Sequence, residues 1–286
     1  MEWEEYEKKL RELAYKDEAV AIIKKAFLFA AEAHKNEKRE SGEPYIGHPI
    51  AVSLNVAELK LDANTIAAAL LHDVIENQGV QIEKIKKEFG GEIAFLVEGV
   101  TKVDKIKYRG IERSVESLRK MFLATAEDIR VVIIKLMDRL HNMETVGALP
   151  GDKARRIALE TLELYAPLAD RLGMWKAKAD LEDLAFPIVH PEEYKLTMEQ
   201  VREKKAEREK YLERFKTLIE QELKKENLEA VRILYRAKHM YSIWKKLVRN
   251  EMNIERIMDL VATKIILHTV EDCYKTLGII HKVWKP

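Results

Sequence analysis

The chain has 286 residues, enough for two ordinary domains whose cores need no disulfide or metal staple. Its 50 Lys plus Arg nearly cancel its 49 Asp plus Glu, so no overall field draws it to nucleic acid or to an acidic membrane. The one cysteine, Cys273, excludes an internal disulfide and suits a cytoplasmic protein.

The first ten residues, MEWEEYEKKL, are acidic and amphipathic, unlike the basic-then-apolar pattern of a secretory signal. No apolar run approaches the roughly 20 residues of a membrane span. The expectation is a cytoplasmic protein with no membrane partner and no specific DNA partner. Apolar residues then recur at helical spacing from residue 1 to about residue 225, which predicts an all-helical first two-thirds. Breaks fall at KNEKRESGEPYIGHP (35 to 49), ENQG (76 to 79), KIKYRG (105 to 110) and ALPGD (148 to 152), where Gly, Pro and polar clusters end or turn helices. Asp62 precedes ANTIAAALLHDVIE as an N-cap, and Gly173 closes the helix that runs through ELYAPLADRL. From Glu192 to about Lys225 the pattern is a long charged helix with sparse apolar residues, a spacer between domains. After Asn227, EAVRILY and DLVATKIILHTV read as strands with helical flanks. The predicted fold is therefore mainly α: a helical domain over 1–190, a charged linking helix over 191–226, and a partial α/β domain over 227–286.

Chemistry concentrates at four positions. His72 and Asp73 are adjacent in the Ala- and Leu-rich helix ANTIAAALLHDVIEN, where an imidazole and a carboxylate are costly to bury without a partner. A divalent metal is a natural one. His48 lies in the turn YIGHP, and Asp138 follows a nearly continuous apolar run in VVIIKLMDRLHNM, at the edge of the core. Together His48, His72, Asp73 and Asp138 offer two imidazole nitrogens and two carboxylates, a donor set suited to Mn²⁺, which activates water near neutral pH. Taken singly, each also reads as a structural residue: a satisfied buried histidine, or an Asp138–Arg139 ion pair.

Several blocks occur in series: AEAHKNEKRESGEPYIGHPIAV, LLHDVIEN, FGGEIAFLVEGVTKV, LRKMFLATAEDIRVVIIKLMDRLHNM, ALETLELYAPLADRLGM and DLEDLAF. In this order they resemble the RelA/SpoT homologue family, in its long ppGpp synthetase/hydrolase branch, over nearly all of residues 20 to 286. The resemblance implies an HD-type hydrolase domain that removes the 3′-pyrophosphate of ppGpp or pppGpp, leaving GDP or GTP, with Mn²⁺ as cofactor. His48, His72, Asp73 and Asp138 fall on the family's metal ligands. Arg39, Ser41, Asn142 and Thr145 match positions that contact the guanine nucleotide. Glu76 matches the first residue of a Glu-Asp pair that activates or orients the attacking water, and it lies four residues after His72, on the same face of a continuous helix.

The sequence departs from the family at three places in this domain. Asn77 stands where the active hydrolases carry Asp, replacing a proton acceptor with an amide. Glu40 and Glu144 stand where Lys and Arg are usual, leaving Lys35, Lys38 or Lys102 to compensate near an anionic substrate. In the last segment, YRAKHMYSIWKKL resembles the start of the family's synthetase domain. Arg236, Lys238, Ser242 and Lys246 match positions that hold ATP phosphates, Asp259 matches a Mg²⁺-binding residue, and Lys264 replaces a nearby Arg. The same cations would equally form a solvated basic helix end. The sequence stops before the region where the family carries its catalytic Glu and GTP-stacking Tyr, so no ppGpp synthesis is expected from this polypeptide. Family contacts with the ribosome are expected only through C-terminal regions that this sequence does not contain.

Two functions fit these residues. One is a Mn²⁺-dependent ppGpp 3′-pyrophosphohydrolase assisted by Glu76. The other is a guanine-nucleotide-binding regulatory module that Asn77 has disabled, for which Asn77→Asp should restore the rate. An HD phosphohydrolase for a different nucleotide fits less well with the loop from Arg39 to Ser41 and the synthetase-like tail.

Overall fold

The computed structural model describes residues 1–104, 128–226, 228, 230, 232–257 and 261–284. The described chain falls into two compact units, Met1–Val189 and His190–Pro286.

Among the described residues the first unit is helical. Its elements are α1 (Trp3–Glu12), α2 (Asp17–Ala33), α3 (Gly47–Glu58), α4 (Ala63–Leu71), α5 (Val74–Gln78), α6 (Ile82–Phe89), α7 (Gly91–Asp104), α8 (Ile129–Glu144), α9 (Gly151–Glu160), α10 (Ala166–Arg171) and α11 (Trp175–Val189). A π turn, Thr161–Tyr165, joins α9 to α10. At the centre lies α4, buried from Thr65 through Leu71, with α2, α3 and α7 packed around it. Its run of Ala67, Ala68 and Ala69 lets those neighbours approach closely. In α8, which packs on α3, α7 and α11, Val131, Val132, Ile134, Leu136 and Met137 enter the core.

Asp62 caps α4 as expected, accepting the Thr65 backbone N–H at 3.0 Å and the Thr65 hydroxyl at 2.7 Å. Gly173, with φ of 72°, closes the chain after α10. The helix expected through residues 63 to 77 is instead two helices. α4 stops at Leu71, His72 and Asp73 form a turn, and α5 begins at Val74. The cause is local: His72 Nδ1 hydrogen-bonds the Ala69 carbonyl at 2.8 Å, occupying the acceptor that the Asp73 N–H would use in a continuous helix. The break expected at 105 to 110 lies outside the described residues.

The second unit comprises α12 (Pro191–Lys225), β1 (Arg232–Ala237), α13 (Met240–Arg249), β2 (Val261–Ile266) and α14 (Val270–Val283). The two strands pair antiparallel, with Arg232 opposite Ile266 and Ala237 opposite Val261. The long charged helix α12 is part of this unit rather than a bare spacer: it packs on α13 and α14 and buries Ile219 and Leu223 against Leu228. Among the described residues no helix is long and apolar enough to cross a membrane.

Candidate metal centre and nucleotide cavity

Three elements of the first unit deliver the four candidate ligands to one point. His48 comes from the first turn of α3, His72 and Asp73 from the α4–α5 turn, and Asp138 from α8. Ligand atoms of His48, His72 and Asp138 all lie within 4.8 Å of one another, and all three residues are buried. His48 Nε2 is 3.0 Å from Asp138 Oδ1, and His72 Nε2 is 3.8 Å from the same oxygen. Asp73 Oδ2 approaches both rings, at 3.1 Å from His72 Nε2 and 3.6 Å from His48 Nε2.

Hydrogen bonds at the far side of each ring decide which nitrogen faces this point. His72 Nδ1 is held by the Ala69 carbonyl, and its buried Nε2 has no hydrogen-bond partner. The guanidinium of Arg39 can only donate to His141 Nδ1, at 3.2 Å, which makes that nitrogen an acceptor. His48 Nδ1, 2.8 Å away, then donates to it and turns the lone pair of Nε2 toward the carboxylates. Such backing fixes tautomer and ring orientation in metal-binding histidines.

The carboxylates are anchored in the same way. Tyr45 donates its hydroxyl to Asp73 Oδ2 at 2.6 Å. Asp138 accepts from Lys135 Nζ at 2.5 Å and from Asn142 Nδ2 at 2.7 Å. Burial would raise the Asp138 carboxyl, but Lys135 and His48 hold it well below the usual range, and His72 does the same for Asp73. Burial would lower His72, yet Asp73, with Asp138 behind it, raises the imidazole to about 9. His141, pushed down to about 4 by burial and by His48 and Arg39, is neutral at physiological pH. The site thus attracts positive charge strongly, and its imidazole nitrogens and carboxylate oxygens fit a divalent cation.

Asp138 also forms part of the wall of a cavity of about 640 Å³. Arg39, Ser41, Glu76, Asn142 and Thr145 line it, so the four expected contact residues and Glu76 meet at one opening. The Arg39 loop is tied to α8 by a 2.9 Å bond from Arg39 to Asn142 Oδ1, and Asn142 in turn reaches Asp138. Asn77 is not part of the wall; its amide donates to Glu37 Oε1 at 3.1 Å. Of the proposed compensating lysines, Lys38 lines the cavity, whereas Lys35 and Lys102 pair with Glu32 and Glu98. Glu40 is neutralised by an ion pair with Lys153, and Glu144 is absent from the wall.

Sequence reasoning missed Tyr45, His141 and Lys135 around the ligands, and Arg139, Lys153 and Arg156 in the cavity wall. Lys135 and His141 lie three residues either side of Asp138 on α8, a spacing that could have found them. The others carry no local signal. Arg139 pairs with Glu160 at 3.0 Å and lies over the Tyr165 ring at 4.0 Å, a contact set by the π turn. In the second unit, Arg236 is in β1, Lys238 just follows it, and Ser242 and Lys246 are four residues apart on α13. Asp259 lies outside the described residues.

Comparison with known proteins gives two family matches. An HD domain matches residues 26–175, and a region found in RelA/SpoT proteins matches residues 235–286. A guanosine-3′,5′-bis(diphosphate) 3′-pyrophosphohydrolase from Aquifex aeolicus is 47% identical over 265 residues, covering 92% of this chain and 38% of that protein. A probable enzyme of the same name from Synechocystis is 44% identical over 93% of this chain and 35% of its own. The bifunctional (p)ppGpp synthase/hydrolase SpoT of Escherichia coli K12 is 43% identical over 94% of this chain and 38% of its own. The chain therefore spans little more than a third of the length of these relatives. With the HD domain over more than half of its length and the RelA/SpoT region following it, the chain belongs to the RelA/SpoT family.

Proposed function

We propose that the first unit hydrolyses the 3′-pyrophosphate of ppGpp or pppGpp, releasing pyrophosphate and GDP or GTP, with Mn²⁺ held by His48, His72, Asp73 and Asp138. The observation that carries this reading is the buried His48–His72–Asp138 cluster, whose Asp138 also belongs to a cation-rich cavity. Mn²⁺ bound there would polarise a phosphate oxygen and make water a better nucleophile.

The chain's own residues supply the rest. Arg39, braced by Asn142 and His141, presents a planar donor to a purine or phosphate. Among the described residues, Lys38 and Arg156 line the cavity without an ion-pair partner, and they offer charge to a polyanion. Glu76, exposed at the cavity wall, would take a proton from the attacking water. Water adds to the 3′-linked phosphorus, the bond from that phosphorus to the ribose 3′ oxygen breaks, and the 3′ oxygen takes a proton from solvent to leave as a hydroxyl, which balances the proton that Glu76 removes. In the second unit, Lys238, Ser242 and Lys246 would meet a nucleotide triphosphate with Mg²⁺; the names of the relatives motivate that reading.

The alternative reading, a guanine-nucleotide-binding module without turnover, is favoured by Asn77, which cannot accept a proton. Incubating the purified chain with ppGpp and Mn²⁺ separates the two. Release of GDP and pyrophosphate in equal amounts supports the hydrolase; saturable ppGpp binding with no release leaves the module.

A further inference from the structure

Glu37 lies near the start of the α2–α3 connection, outside the cavity wall, and no sequence pattern singles it out. Three side chains donate to its carboxylate. Asn77 Nδ2 donates to Oε1 at 3.1 Å, and Gln78 Nε2 and His34 Nδ1 approach Oε2 at 2.5 Å and 2.6 Å. His34 is fully buried at its side chain and stacks on Tyr45 with ring centroids 4.9 Å apart. The Glu37 carbonyl accepts the Tyr45 backbone N–H at 2.9 Å, and Tyr45 donates its hydroxyl to Asp73. One residue thus grips both the α5 turn that carries Glu76 and the tyrosine that orients a candidate metal ligand.

The chemistry of the pair is informative. Position 77 carries an amide whose donor is matched to a carboxylate at position 37. A carboxylate at 77 would instead face Glu37 across about the same 3.1 Å, with like charges repelling. We propose that Glu37 is a positioning residue that supplies, across the Glu37–Asn77 hydrogen bond, the negative charge that position 77 lacks. The site works with one carboxylate shared between these two positions, and which of them bears it is interchangeable. Restoring Asp at 77 alone therefore harms the site rather than repairing it. This rests on the hydrolase reading above for its kinetic consequence, but not for its effect on metal binding.

The test compares Glu37→Gln, Asn77→Asp and the double variant Glu37→Gln/Asn77→Asp in the full chain. Three quantities are read: Mn²⁺ affinity by calorimetry without nucleotide, the thermal midpoint, and kcat and KM for ppGpp. Glu37→Gln weakens Mn²⁺ binding by about threefold or more and lowers kcat by about tenfold or more, with KM held within about twofold. Asn77→Asp lowers the thermal midpoint and kcat. The double variant, which returns one carboxylate and one amide to the pair, recovers Mn²⁺ affinity and kcat to within about threefold of the parent, a non-additivity expected only of coupled sites. A double variant no better than the worse single one overturns the proposal, as does Glu37→Gln with parental Mn²⁺ affinity. If the parent binds Mn²⁺ but releases no pyrophosphate, the hydrolase reading fails by itself, and recovery of Mn²⁺ affinity in the double variant still decides the pair.

Discussion

Asp62 and Tyr45 act at single positions, one on the fold and one on the site. Asp62 ends the loop before α4 by accepting two bonds from Thr65, and it lies 3.5 Å from Arg130. Replacing it with Ala removes the cap and costs about 1 kcal/mol at neutral pH, measured by thermal or urea melting. Burial works against ionisation, but the Thr65 bonds and Arg130 hold the Asp62 carboxyl below its ordinary value of 3.8. Its contribution is therefore complete above that pH and is lost as pH falls through the lower folded value, so the melting gap between parent and Asp62→Ala narrows in acid. A gap that widens in acid contradicts the capping account. Tyr45→Phe removes the hydroxyl that orients Asp73 and weakens Mn²⁺ binding about 10- to 100-fold by calorimetry; an unchanged affinity would mean the bond orients nothing. That His48, His72, Asp73 and Asp138 converge was legible because imidazole and carboxylate stand out in apolar segments. The residues behind them were not, since contacts such as Arg39 to Asn142 and Glu40 to Lys153 join positions 103 and 113 residues apart.

Gly99 sits where α7 crosses α8, and a Cβ there would come within 2.7 Å of Val131 Cγ2. Overpacking of this kind costs about 1–3 kcal/mol, against a gain of at most about 1 kcal/mol from removing Gly from a helix. Gly99→Ala therefore lowers the thermal midpoint, and a variant as stable as the parent would show that the two helices can move apart freely. Helix positions, the Asp62 cap and the closure at Gly173 followed from spacing and residue type. Two features at this scale did not. The interruption at His72–Asp73 depends on a side-chain bond to the backbone that periodicity does not encode, and the π turn at Thr161–Tyr165 inserts one residue into an otherwise regular helical pattern. Both interruptions serve the site: the first turns His72 and Asp73 inward together, and the second sets Tyr165 beneath Arg139.

Among the described residues, one continuous apolar core reaches from Trp3 to Val189, and the second unit rests on two small clusters of its own. A domain with its own core folds alone, so a fragment of residues 1–189 should melt cooperatively and bind Mn²⁺ within about threefold of the full chain. A fragment that aggregates or loses the metal would place part of the site's support in the second unit. The division into a helical part and a later segment with strands was readable from the change in residue texture near Asn227. The role of α12 was not, because its few apolar residues, Ile219 and Leu223 among them, are sparse in sequence yet gathered on the side that meets α14 and Leu228. The proposed function is a metal-dependent hydrolase with His48, His72, Asp73 and Asp138 as candidate ligands. It is tested most directly by stripping the chain of metal, adding back Mn²⁺ in steps at saturating ppGpp, and measuring pyrophosphate release. The stripped protein should release none, and release should rise until it saturates at about one Mn²⁺ per chain, with Asp138→Asn silent throughout. Release that is independent of Mn²⁺, or unchanged in Asp138→Asn, would contradict it.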